Sequence, residues 1–333
     1  MRVDHDQKYE IMTETSVEPL VSVVVVNYNG RHLLGDCFHA LSQQTYGNYE
    51  IILVDNGSHD DSVTFMKEHY PGVCIVQLSS NTGFAGGTNA GILASHGELI
   101  LTLNNDTNVF SDFIEKLIQP MVRDPVVGMC ASKMISPDKK INSTGICLSR
   151  SGAAWDRGGF EQDTGQYDDE VEVFGPCAGA ALYRKTMLDE IGLFDEDFFL
   201  FMEDVDLAFR AQLAGWKCVY TPKARVIHKH GGTARAGSDI AVYYGNRNIL
   251  WYVVKNFPFR TLILSSPWII GRNIGVIPYY ILRGKHWIIL KAKIDAIKNV
   301  HIMAGKRKSV KKVVSDSQIN RWIQPWSCIP EQK

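Results

Sequence analysis

Four short apolar runs, each ended by a cluster of polar residues, constrain the fold of this chain more than anything else in it. The first, residues 21–26 (VSVVVV), is continuous and β-branched apart from Ser22. Such a run suits a strand buried on both faces of a parallel sheet. It stops at Asn27-Tyr28-Asn29-Gly30, after which residues 31–44 show helical spacing through Leu33, Leu34, Cys37, Phe38 and Leu41. Residues 51–54 end in Asp55-Asn56-Gly57-Ser58. Residues 73–78 lead into Asn81-Thr82-Gly83-Phe84-Ala85-Gly86-Gly87-Thr88-Asn89, and a helix is predicted over 88–96. Residues 99–103 end in Asn104-Asn105-Asp106. Strands alternating with helices predict βαβ units with right-handed crossovers. Polar clusters past the carboxyl ends of strands are where open α/β sheets bind ligands.

The middle is less regular. Residues 132–174 are rich in Gly, Ser and Asp and predict hairpins or loops over the site. Residues 175–183 return to a small-residue strand. Residues 194–215 read as an acidic loop entering a helix, with Val205, Phe209 and Leu213 on its buried side. Residues 219–220 and 224–228 read as two short final strands. From Asn248 the character changes. Residues 249–254 are apolar and aromatic, and 261–282 are almost uncharged, but Pro267, Arg272, Asn273, Pro278 and two glycines interrupt the second stretch. A spanning helix needs about 20 apolar residues without such breaks. The expectation is helices lying on or dipping into a bilayer face, flanked by Arg260, Arg283, Lys285, Lys291 and Lys293. A helical hairpin packed on the preceding domain is the alternative. The predicted layout is a flexible tail at 1–19, an α/β domain at 20–258 and a basic, apolar helical extension at 259–333.

Charge supports that division. From Lys255 to Lys333 there are 15 Lys/Arg and three acids, a net +12, so the rest carries −13 within an overall −1. A basic tail on an acidic body points to an anionic partner, a phospholipid surface or nucleic acid, or else to a solvated helical face. The seven cysteines are odd in number and lack CxxC spacing, which reads as reduced, packed thiols of a cytosolic protein. The first 19 residues are polar and acidic with no apolar core, so no signal peptide is expected.

Several clusters carry chemistry. A carboxylate at Asp55 can accept from a ribose hydroxyl or a pyrimidine N3–H; Asp-Asn-Gly also makes turns well, so both readings stand. Gly83, Gly86 and Gly87 before a helix permit close backbone approach to a ligand, and the helix start offers free N–H groups. No Gly-Lys-Ser/Thr follows, which excludes a P-loop. No GxGxxG follows the first strand, which weighs against a nicotinamide enzyme. Asn104-Asn105-Asp106 offers hard oxygen donors suited to Mg2+ or Mn2+, although a turn uses the same residues. Glu203, Asp204 and Asp206 follow bulky apolar residues and enter a helix, where they complement its dipole or serve as a tuned general base. His228 is a candidate metal ligand only in company with Asp106.

In this order, VSVVVVNYNG, VDNGS, NTGFAGGTN, LNNDT and FMEDVDL resemble the family 2 inverting glycosyltransferases, in their rhamnosyltransferase-like branch. The resemblance extends from about Pro19 to Pro258, including Tyr244-Gly245-Asn246-Arg247-Asn248. It implies a GT-A fold, a nucleotide-diphosphate sugar donor, and Mg2+ or Mn2+ as cofactor. Asp55 then reads the nucleoside, with Asn27, Asn29, Asn81, Gly83, Gly86, Asn89 and Asn105 around the donor. Asn104 and Asp106 occupy the ends of the family's Asp-x-Asp metal motif, joined by His228. Asp204 is the catalytic base, and Glu203, Asp206 and Gly179 lie on the acceptor side or behind it. The acceptor is a glycan or polyprenyl-linked glycan met at the inner face of the cell membrane, with no nucleic-acid partner. One departure is that Asn104 stands where the motif has an acid, which removes one negative charge from the metal site. The other readings are a nucleotidyltransferase and a non-catalytic sugar-nucleotide or glycan-binding module. The sequence sets no oligomeric state.

Overall fold

A computed structural model of the chain describes residues 18–229 and 237–325. All but the last two residues of the predicted tail lie outside them. Pro19 and Glu18 are pinned to the domain, their carbonyls accepting from Tyr46 Oη and Asn48 Nδ2.

β1 (Val21–Asn27), α1 (Arg31–Ser42), β2 (Tyr49–Asp55), α2 (Ser62–His69), β3 (Cys74–Gln77), α3 (Gly83–Leu93) and β4 (Leu99–Asn104) alternate as the apolar runs predict. β1 has no polar face and lies in the middle, parallel to both β2 and β4. The parallel order is β3-β2-β1-β4. Growth of the sheet therefore changes direction at β1, which opens a crevice past the carboxyl ends of β1 and β4. Asn27 and Asn104 end these two strands.

The helix predicted from Thr88 begins at Gly83 instead. Its glycines let it lie directly on the sheet. A Cβ at Gly91 would come 2.3 Å from Val24 Cγ1, and one at Gly87 2.8 Å from Val26 Cγ1. Each interior glycine costs about 1 kcal/mol of helix propensity, offset here by close packing.

β5 (Thr107–Val109), α4 (Phe113–Leu117), α5 (Gln119–Arg123), β6 (Val127–Ile135), β7 (Ile141–Ser143), β8 (Ile146–Ser149), β9 (Ala154–Asp156), β10 (Val171–Val173), β11 (Ala180–Arg184), α6 (Lys185–Ile191), α7 (Glu203–Leu213) and β12 (Lys217–His228) follow. The sheet continues β4-β11-β6-β12-β10, with β11 antiparallel to both neighbours. The expected loops at 132–174 are only partly loops. They start inside β6, a buried strand whose VGMCASKMI composition hides its β character. The hairpin of β8 and β9 does lie in that segment. The two expected final strands are one, β12, with an irregularity between Thr221 and Arg225.

The chain then forms α8 (Asp239–Asn256), α9 (Phe259–Leu282), α10 (His286–Lys298) and α11 (Val300–Lys306), and returns to the body as β13 (Ile323–Gln324) beside β8. α8 packs against α10 and α11. α9 is one helix that runs through both Pro267 and Pro278. Among the described residues no helix is long and apolar enough to cross a membrane. The outer sides of α9 and α10 leave Leu264, Ile270, Ile274, Trp287 and Ile297 exposed.

Six free cysteines are described, and Cys74 is exposed rather than packed.

Candidate active site

Asn27 is fully buried at the end of β1. Its Nδ2 donates to Ser62 Oγ at 2.9 Å and Ser58 Oγ at 3.3 Å, while its Oδ1 accepts from Asn105 Nδ2 at 2.8 Å. Asn29 adopts a left-handed φ of 51°. Its N–H donates to Ser58 Oγ, and its Oδ1 accepts from His59 N–H at 2.8 Å. Asn27, Asn29 and Asn105 thus join three loops at the carboxyl edge and spend their side chains on one another, on the Ser58 and Ser62 hydroxyls and on backbone. Gly30 is required above them, since a Cβ there would lie 2.3 Å from Asn105 Nδ2.

Asp55 differs. It is buried at the end of β2, and its Oδ1 has no hydrogen-bond partner. A buried acceptor without a donor is costly unless a ligand supplies one. Next to it, Asn56 is a residue the sequence reading passed over. Its amide donates to Gly83 O at 2.8 Å and Asn81 Oδ1 at 3.2 Å, and its Oδ1 accepts from Thr82 N–H at 2.9 Å. Asn81 Oδ1 also accepts from Gly83 N–H. Asn56 and Asn81 shape the turn into α3 from beside Asp55.

Gly83 has φ +75°, and a Cβ on it would meet Phe199 O at 2.2 Å. Two of the predicted donor-binding residues play other parts. Gly86 lies inside α3, tight against Thr82. Asn89 is buried. It donates to Phe194 O and Glu196 Oε1 and accepts from Phe194 N–H, so its amide is consumed in anchoring the acidic loop.

The predicted metal residues do converge. Asp106 Oδ1 lies 3.1 Å from His228 Nε2. Asn104 Nδ2 lies 3.4 Å from the same nitrogen. β5 and β12 pair in register through Thr107 and His228, which brings two distant segments together. Gly179 makes room for the Asn104 side chain, since a Cβ there would come within 3.0 Å of it, and its carbonyl accepts from Asn104 N–H. On the far side of the ring, Asn142 Nδ2 lies 3.2 Å from His228 Nδ1. Asn142 was also missed, having no neighbour of functional type in the sequence. Rotating either amide by 180° exchanges its O and N, so both asparagines can present oxygen to this ring. Among the described residues there is no group of three or more His, Cys, Asp or Glu side chains that could hold a metal ion.

The acidic loop is strained. Phe199, Phe201 and Met202 have φ of 62°, 65° and 70°. Left-handed conformations at bulky residues persist only where the surroundings enforce them. Here α8 enforces them. Asn248 Nδ2 donates to Phe198 O, Leu200 O and Phe201 O at 2.7–2.9 Å, and Arg247 Nη2 to Asp197 O and Phe198 O. The loop delivers Glu203 and Asp204 to the first turn of α7. Asp204 Oδ2 accepts from Ala178 N–H at 3.2 Å and Oδ1 from Val205 N–H at 2.8 Å. Burial nevertheless raises its carboxyl above the ordinary value. Glu203 is pushed well up by burial and by Asp204, and its Oε2 is buried without a partner.

Asp206 points elsewhere. It is fully buried, with Arg210 Nε and Lys255 Nζ both 2.9 Å from Oδ2 and Asn256 donating to Oδ1. Burial alone would raise its carboxyl, but Lys255 and Arg210 hold it below the ordinary value. With Asp195, which meets Lys255 and Lys306, it fastens the C-terminal helices to the body. Its role is behind the site.

A further carboxylate reaches the site from β9. Burial pushes Asp156 up to about 6, with the Ser143 hydroxyl and His228 opposing the rise and Asp204 adding to it. The Gly- and Asp-rich composition of its segment gave no means of singling it out.

A crevice at the β1/β4 switch point, a buried carboxylate at Asp55 and an Asn-x-Asp turn facing a distant histidine are now joined to a sequence match. Residues 22–192 match the family model "Glycosyl transferase family 2". The chain belongs to that family. It is a glycosyltransferase, and its sheet is the GT-A fold. The enzyme is 27% identical, over 63% of its own length and 76% of the relative's, to N-acetylglucosaminyl-diphospho-decaprenol L-rhamnosyltransferase of Mycobacterium tuberculosis. In fold it is similar to GalNAc-T7, solved with UDP, GalNAc and Mn2+ (TM-score 0.59, 18% identity, covering 71% of this chain and 48% of that one). It is also similar to the mannosyltransferase PcManGT of Pyrobaculum calidifontis, solved with GDP-Man and Mn2+ (TM-score 0.54, 13% identity, covering 92% and 88%).

Proposed function

We propose that this glycosyltransferase moves a hexose, rhamnose being the first candidate, from a nucleotide-diphosphate donor to a hydroxyl of a polyprenyl-linked glycan, with inversion. The single observation that carries the reading is that adjacent residues reach both sides of the site: Ala178 N–H meets Asp204, and the Gly179 carbonyl accepts from Asn104 N–H, whose side chain lies beside His228. The 3.1 Å Asp106–His228 contact supports the donor side, and the raised carboxyl of Asp204 supports a base.

Asp55 takes the nucleoside. Its orphaned Oδ1 accepts from a base N–H or ribose hydroxyl, and the turn shaped by Asn56 and Asn81 bounds that pocket. Asp106, His228 and Asn104 fit a divalent ion. They offer a carboxylate, an imidazole and an amide oxygen, a donor set that suits Mn2+ better than Mg2+ because of the nitrogen. GalNAc-T7 and PcManGT, similar in fold, were solved with Mn2+. For Nε2 to face an ion, Nδ1 must carry the proton, and Asn142 must turn its oxygen to it. When bound, the ion supplies charge neutralisation at the leaving diphosphate.

Asp204 accepts the proton of the acceptor hydroxyl as that oxygen attacks the anomeric carbon and the bond to the diphosphate breaks. The Ala178 and Val205 N–H groups orient its carboxylate. Burial keeps its proton affinity high enough for general-base work. Asp156, across from it, is placed to hold a second acceptor hydroxyl. The basic, apolar surface of α9 and α10 supports seating on an anionic membrane, where such an acceptor lies. The mycobacterial relative is named for a diphospho-decaprenol substrate.

The test is nucleoside-diphosphate release from a panel of nucleotide-sugars, with and without EDTA and with a polyprenyl-diphosphate GlcNAc acceptor. Acceptor-stimulated, EDTA-sensitive release is expected. Release of sugar 1-phosphate instead would point to nucleotidyl transfer, and no turnover with any donor to a binding module.

A further inference from the structure

Two cations lie between α8, α9 and α10 with no acid to balance them. Lys293 is buried on α10 and makes its contacts with neutral oxygens: Asn246 O at 3.0 Å, Asn273 Oδ1 at 2.8 Å and Asn246 Oδ1 at 3.5 Å. Burial, with Arg272 beside it, pushes its ammonium down to about 7. Arg272 on α9 makes no hydrogen bond or ion pair among the described residues, and its Nη1 is buried without a partner. Among the described residues the other buried cations meet carboxylates: Lys133 meets Asp163 and Asp168, Lys255 meets Asp195 and Asp206, and Arg210 meets Asp206. Uncompensated charge of this kind is destabilising in the free protein and becomes favourable when an anion arrives.

Its surroundings indicate which anion. The helices that carry the pair expose Leu264, Ile270, Ile274, Trp287 and Ile297 to their other side. Arg260, Arg283, Lys291 and Lys298 are exposed around them. That combination is complementary to an anionic lipid rather than to a soluble ion. On the inward side, Arg272 neighbours Tyr252, whose hydroxyl donates to Gly152 O at 2.6 Å. Gly152 lies at the turn between β8 and β9, four residues before Asp156.

We infer that Arg272 and Lys293 form a binding site for the phosphate of a polyprenyl-phosphate lipid, which holds the acceptor with its sugar toward Asp156 and Asp204. This rests on the proposed lipid-linked acceptor. Arg272 supplies the free donors and Lys293 supplies charge from behind.

The experiment uses the full chain in flotation on phosphatidylcholine vesicles doped with undecaprenyl monophosphate, against vesicles doped to equal charge with phosphatidylglycerol. Wild type should prefer the polyprenyl phosphate. Arg272→Gln should lose about tenfold of that preference, the effect of one charge-assisted contact, while its binding to phosphatidylglycerol vesicles is unchanged. Arg272→Lys should recover part of it. Lys293→Met is checked by circular dichroism and counted only if folded. Equal binding of wild type to both vesicles, or an unchanged preference in Arg272→Gln, would overturn the site. Calorimetric titration with inorganic diphosphate separates the sources: tight binding without vesicles, lost in Arg272→Gln, would assign a soluble anion instead and overturn the lipid. Acceptor-stimulated nucleoside-diphosphate release, followed with the same protein, stands apart. Its absence would sink the transferase reading while leaving the vesicle result intact.

Discussion

The side-chain amide of Asn248 donates to the carbonyl of Phe201 at 2.7 Å, three residues before Asp204. The same amide serves Phe198 and Leu200, so one residue of α8 holds a loop with three left-handed bulky residues in place. Asn248→Leu has no donor for these carbonyls. It is expected to cost about 2–3 kcal/mol of stability and to lower turnover at least about tenfold, with donor affinity nearly unchanged. Urea denaturation and separate kcat and donor-binding measurements check this; equal losses in both kinetic readouts would argue for general unfolding.

Asp204→Asn can keep one of the two backbone N–H contacts, since its amide nitrogen cannot accept, and it removes the base. A fall in kcat of about 10^2–10^4 is expected, with donor binding retained. Its sign with pH follows from the raised carboxyl. The base must be ionised, so wild-type rate falls as pH drops through a value above the ordinary carboxylate range. A pH–rate profile at saturating donor should show that limb in wild type and lack it in the variant.

Asp106→Asn removes the negative charge of the proposed ion site, and His228→Ala removes one of its donors. Each is expected to raise the Mn2+ concentration for half-activation by at least about tenfold. His228 also loses its contacts to Asn104 and Asn142, so a thermal melt must accompany the titration. An unaltered Mn2+ dependence in both variants would remove these residues from the ion.

Gly83→Ala tests the contact between the donor turn and the acidic loop. Its φ of +75° strains any Cβ, and Phe199 O stands 2.2 Å from where that Cβ would go. The expected cost is about 3 kcal/mol or more, read as a lower urea midpoint.

Asp156 provides a stability test. Its carboxyl is raised by burial to about 6 in the fold, above the ordinary 3.8. The protonated form therefore favours folding at low pH, and that advantage is lost as pH rises through about 6. Asp156→Asn, always neutral, should melt a few degrees above wild type at pH 7.5 and match it near pH 3. Scanning calorimetry at the two values decides the matter.

The sequence by itself determined the first half of the fold. Continuous β-branched runs can be satisfied only as buried parallel strands, and their polar ends fall by topology at one edge of the sheet. Asp55, Asn104 and Asp106 were legible for that reason, and the match over residues 22–192 agrees with it. Tertiary structure decided what each polar side chain faces. Asn89 and Asp206 lie next to functional positions in sequence, yet one anchors a loop and the other clamps α8. Asn56, Asn142, Asp156 and Asn248 carry no local mark, because partners such as Thr82, His228, Asp204 and Phe198 lie far away along the chain. Periodicity reports which residues are buried. Only the pairing of β5 with β12 and the packing of α8 on the acidic loop fix which donors and acceptors meet.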